Sequence, residues 1–113
     1  MSYYHGTHRN EMVPHEGLCL TASEDVAARY AGMSGSVYAV RIDTASLNVV
    51  EVPGYDHDTN EAPADDEGYR AARAAEGADV LRYEDEDDTG RVHVCYRLIS
   101  ERALAAITHT EEI

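Results

Sequence analysis

The chain has 113 residues, 22 Asp and Glu against 9 Arg, and a net charge of −13. It contains no Lys, Trp or Phe, so eight Tyr supply all the aromatic mass of what should be one domain over residues 1–113. The acidity argues against direct capture of a nucleic-acid backbone, which requires cations. Two cysteines make no disulfide framework.

In chain order, "SYYH" (residues 2–5) reads as a short strand. Residues 8–20 read as a loop, broken by Pro14 and Gly17 and ending in the apolar "LCL". "TASEDVAARYAG" predicts a helix. Thr21 is placed to cap it with Glu24 three residues on, Asp25 favours the first turn, and Gly32 stops it. Val26, Ala27, Tyr30 and Ala31 fall on one face. "SVYAVRID" (36–43) and "SLNVVEV" (46–52) read as strands, ended by Pro53 and Gly54. Residues 53–65 have the composition of an acidic loop. "DEGYRAARAAEG" (66–77) predicts a second helix with Gly77 past its end. "ADVLRYE" (78–84) and "RVHVCYRL" (91–98) form a hairpin around an acidic turn, and "SERALAAI" (100–107) closes the chain as a short helix.

The expected class is therefore α+β, with mostly antiparallel sheets and two main helices. No basic stretch followed by an apolar run opens the chain, and no apolar run approaches a membrane span. The expectation is a soluble cytoplasmic protein without a membrane partner. Two sources fit the acidity and the absence of Lys. One is adaptation to a salty cytoplasm; the other is a GC-rich genome that favours Arg codons.

Three stretches in order carry a resemblance: "YYHGTH", then "LTASEDVAARYA" leading into "VYAVRID" and "LNVVEV", then "GADVLRYEDED" through "HVCYRLIS". Together they resemble the ADP-ribosyltransferase fold, in the branch with a His-Gly-Ser/Thr strand and a Tyr-bearing helix. In size, in the His-Gly start and in the acidic run before the hairpin, the chain is similar to small phage-encoded anti-CRISPR ADP-ribosyltransferases. The resemblance implies NAD as substrate and transfer of ADP-ribose to a macromolecule, a protein in preference to a nucleic acid. The acceptor would be a host-defence or toxin target. In a virus the setting would be the host cytoplasm.

The resemblance assigns cofactor binding to His5, Gly6, Thr7 and Tyr30. Gly6 would let the backbone approach the nicotinamide amide, His5 would bond a ribose hydroxyl, and Tyr30 would stack on the ring. A cation should meet the pyrophosphate, with Arg9 first and Arg29 second. The expected catalytic set is Asp85, His5 and Tyr30. Many members place a Glu at the start of the last strand; here Val92 stands there, after Arg91. In the phage-type members the acid lies in the acidic run, which carries over to Asp85 of "YEDED". Asp87 is the alternate if the hairpin is longer, with Glu86 and Glu84 behind it. Side chains alternate along a strand, so Asp85 should face away from Glu84 and Glu86.

No metal is expected. His5, His8, His15 and Cys19 match no standard zinc spacing, and His93 and Cys95 share a strand face and are expected to fill space. The competing function is a non-catalytic acidic binding protein on the same fold, blocking a partner, with DNA mimicry as one mode. A third, removal of an RNA 2′-phosphate, needs several cations that this chain lacks.

Overall fold

Seven strands and three α-helices follow one another in this chain, described here by a computed structural model over residues 2–7, 12–86 and 90–113. The strands are β1 (Ser2–Thr7), β2 (Leu18–Thr21), β3 (Ser36–Ile42), β4 (Val49–Glu51), β5 (Val80–Glu86), β6 (Val92–Leu98) and β7 (Ile107–Glu112). The helices are α1 (Glu24–Ala31), α2 (Glu67–Ala75) and α3 (Glu101–Ala105), with a 3₁₀ turn at Pro63–Asp65.

One mixed sheet takes all seven strands in the order β4-β5-β6-β2-β1-β3-β7. β4 and β5 run parallel and every other pair is antiparallel. The α+β class with mostly antiparallel pairing is thus observed. β1 pairs with β3 along its whole length. With β2 it shares a single position, Tyr4 opposite Thr21. Among the described residues this is the shortest ladder in the sheet.

Alternation sorts the side chains. Leu18 and Leu20 join Tyr3, Val40, Ile42, Val80, Leu98 and Ala103 in one core. On the other side, Leu81, Tyr83, Cys95 and Ile99 pack with Ala62, Ala64 and Ala78. Tyr3 meets Tyr96 edge-on at 4.9 Å, so some of the tyrosines replace the missing Phe and Trp in the interior.

Five local expectations change. Ser23, not Thr21, caps α1: its hydroxyl accepts the Val26 N–H at 3.4 Å. Thr21 is held instead in β2, opposite Cys95 and Tyr4, and accepts the Ser23 N–H at 3.2 Å. "LCL" is strand, not loop end. β5 runs two residues further than the pattern implied, so Glu84, Asp85 and Glu86 lie in the ladder opposite Val94, His93 and Val92. β7 was not anticipated; it is an edge strand of mainly exposed side chains, which leaves no apolar alternation to read. The segment 53–65, expected as plain loop, carries an Asp56–Glu61 bridge and the 3₁₀ turn.

Helix α1 lies directly on β1, and two glycines make that possible. A Cβ on Gly6 would stand 1.8 Å from the Ala27 carbonyl oxygen, and one on Gly35 would stand 2.1 Å from that of Ala31. Among the described residues no helix is long and apolar enough to cross a membrane.

Candidate functional site

Beside the short β1–β2 ladder lies a cavity of about 320 Å³. Its floor and walls come from β1 (Tyr4, His5, Gly6), β2 (Cys19, Leu20, Thr21), the last turn of α1 (Tyr30), the end of β5 (Asp85) and β6 (Cys95, Arg97). The volume lies within the range of small-molecule sites.

His5 reaches the cavity half-buried from β1. Its Nδ1 donates to the Cys19 carbonyl at 2.8 Å, which fixes the proton on that nitrogen and leaves Nε2 an acceptor. Burial lowers its basicity, against the backbone bond, which favours the charged form. The ring is a neutral acceptor at pH 7. Tyr30 is 42% exposed on the rim. Its hydroxyl is hydrogen-bonded to Nε2 of His93 at 3.2 Å, and the two rings meet edge-on at 5.9 Å.

The acidic run is divided by the strand. Asp85 lines the cavity. Glu84 is exposed, and Glu86 is hydrogen-bonded to Nε2 of His57 at 2.7 Å. Burial raises the Asp85 carboxyl above the ordinary carboxylate range. The Glu86 N–H, which it accepts at 2.9 Å, and the charge of Arg97 act the other way, while the charge of Asp65 adds to the rise. Asp87 lies outside the described residues.

The remaining expected residues fall elsewhere. Gly6 lines the cavity, but its missing side chain is required first by α1. Thr7 ends β1 opposite Ser36 and is not part of the lining. Arg29 is exposed in the last turn of α1, also outside the lining, because the turn that carries Tyr30 to the rim directs its neighbour away. Arg9 lies outside the described residues. Val92 is 56% exposed.

The cation that does line the cavity is Arg97, which the pattern did not single out. It is held by three bonds: Nε to the Tyr83 hydroxyl at 2.9 Å, Nη1 to the Gly17 carbonyl at 2.8 Å and Nη2 to Asp65 at 2.7 Å. Cys19 and Cys95, the one weighed only for zinc and the other expected to fill space, also line the cavity. Their thiols are free and lie against one another across β2 and β6. Their closeness to one another, with burial, pushes the Cys95 thiol up, and the same closeness favours the thiolate at Cys19. The alternation of His93 and Cys95 was visible in sequence; that Asp85 would stand opposite was not.

A larger hollow, about 570 Å³, lies along the β4–β5 edge and is lined by Glu51, Glu84, Asp85 and Glu86 among others, so Asp85 borders both spaces. Its cation, Arg82, is paired with Glu51 and the Tyr96 hydroxyl. An anionic ligand such as a dinucleotide finds no charge complement there. No family model, curated protein or solved structure matches the chain.

Proposed function

We propose that the chain is an NAD-dependent ADP-ribosyltransferase, with an ADP-ribosyltransferase-like sheet, that modifies a macromolecular acceptor, a protein in preference to a nucleic acid. One observation carries the proposal: His5, Tyr30 and Asp85, separated by up to 80 positions in the chain, line the same cavity. Among the acids at 84–86, it is Asp85 that stands there with the aromatic and the imidazole.

In this reading the nicotinamide-ribose half of NAD occupies the cavity. Nε2 of His5 accepts a ribose hydroxyl, and the exposed face of Tyr30 receives the nicotinamide ring. The C–N glycosidic bond breaks with its electron pair leaving on nicotinamide. The ribose becomes oxocarbenium-like, and the Asp85 carboxylate stabilises that cation in a partly water-excluded site. An acceptor nucleophile then attacks the anomeric carbon and loses its proton to solvent. Arg97 contributes charge near the floor but is committed to Asp65 and Tyr83.

The test is nicotinamide release, together with intact-mass detection of an ADP-ribose adduct on proteins of a lysate incubated with NAD. Wild type should release nicotinamide. Asp85→Asn should lose about 10²–10³ in rate, which is about 3–4 kcal/mol of barrier, with NAD binding retained. Glu84→Gln should remain near wild type. Absence of both nicotinamide release and adduct for the wild type would overturn the proposal and favour the non-catalytic binding protein.

A further inference from the structure

We infer that Asp85 and Cys95, which line the cavity, form a zinc site with the buried His93 beside them. One ligand atom of each, a carboxylate oxygen, an imidazole nitrogen and the thiol sulfur, lies within 4.8 Å of the other two. The fold produces this directly. Asp85 and His93 are register partners across the β5–β6 ladder. Cys95 is two residues along from His93, on the same face.

Two further observations point to a ligand. His93 is 8% exposed, and its Nδ1 is buried with no hydrogen-bond partner among the described residues. A buried ring nitrogen left unsatisfied is costly, and a metal ion relieves that cost. Its other nitrogen, Nε2, is bonded to the Tyr30 hydroxyl. This is the arrangement of metal-binding histidines, in which the second ring nitrogen is fixed by an outer partner.

The donor set selects the metal. A thiolate and an imidazole favour zinc over magnesium or calcium, which take oxygen ligands. Ligand atoms on a tetrahedral zinc stand about 3.4–3.8 Å apart, given bonds of about 2.0–2.3 Å. Closing the triad therefore takes side-chain shifts of about an ångström. Three protein ligands leave a fourth position, and the cavity beside Asp85 and Cys95 supplies space for water there. Binding displaces the Cys95 thiol proton to solvent.

This inference does not rest on the transferase proposal. Asp85 belongs to both, so a bound zinc withdraws that carboxylate from a ribose. The test therefore uses metal alone, without NAD. Reduced, chelator-treated full-length protein is titrated with zinc chloride by calorimetry, and separately with cobalt(II) followed by absorption. The expected result is one zinc per chain and a cobalt spectrum with thiolate charge-transfer and tetrahedral bands. His93→Gln and Cys95→Ser should each weaken zinc binding by at least the roughly 10–100-fold typical of an outer-shell loss. The double variant His57→Gln, His109→Gln, which removes the exposed His–Glu pairs, should bind as wild type does. No saturable zinc binding, a cobalt spectrum without a thiolate band, or affinity lost in the surface double variant would each overturn the site. If Cys95→Ser fails to fold, the cobalt spectrum of the wild type decides.

Discussion

Gly6→Ala adds one methyl group at the seam between β1 and α1. The new Cβ would lie 1.8 Å from the Ala27 oxygen, 2.8 Å from the Ala27 carbonyl carbon and 2.9 Å from the Ala31 nitrogen. All three are backbone atoms, so no side chain can rotate out of the way. Real Cβ atoms essentially never approach closer than 3.0 Å, and α1 must retreat by more than an ångström. It carries the buried Val26, Ala27 and Ala31 with it, loosening contacts that the close-packed interior cannot refill. Overpacking of this kind costs about 1–3 kcal/mol, and the rigid backbone target places Gly6 at the upper end. Gly6 is not among the glycines with positive φ. Chain entropy alone would therefore favour Ala by about 0.4–1 kcal/mol, so the two arguments predict opposite signs. Urea denaturation of wild type and variant measures the difference. A loss of about 2–3 kcal/mol, with a melting temperature lower by roughly 10 °C, is expected. Unchanged or increased stability would refute the packing argument. It would leave backbone approach to a ligand as the reason for the glycine.

Asp79 accepts the Asn48 N–H at 2.8 Å and the Ser100 hydroxyl at 2.7 Å, and it forms an ion pair with Arg102 at 3.2 Å. The Asn48 bond foremost holds its carboxyl below the usual carboxylate range. Its contribution to stability is therefore complete above the unfolded-state value near 4 and is lost as pH falls through the folded value. Asp79→Ala should cost about 2–4 kcal/mol at pH 7 and flatten the acid limb of a stability-versus-pH curve; an unaltered limb would contradict this. With a net charge of −13, the melting temperature should rise from low salt to molar KCl as self-repulsion is screened. A flat or falling trend would remove self-repulsion as a factor in stability.

Helices and hairpin were legible because their signals are local. Ser, Glu and Asp at the start of α1, Gly32 at its end, and the alternation in "VYAVRI" and "VHVCYRL" need no distant partner to be read. The errors came where a distant partner decided. Thr21 and Ser23 are both competent caps, and pairing of Thr21 with Cys95 and Tyr4 assigned the role to Ser23. "LCL" became a strand because β1 and β6 flank it. β7 exists because β3 offers it an edge.

The sequence by itself determined the acidity, the aromatic economy, the two main helices and the β5–β6 hairpin, since each follows from composition or from periodicity within about ten residues. It also placed Asp85 opposite in facing to Glu84 and Glu86, which alternation alone dictates. Tertiary structure decided which acid meets which partner. Only the order β5-β6-β2-β1 brings Asp85, Cys95, Arg97, Cys19 and His5 around one cavity, and only the weight of α1 on β1 explains Gly6. Strand order is set by long-range pairing and by burial of both sheet faces, and neither leaves a mark at any single residue.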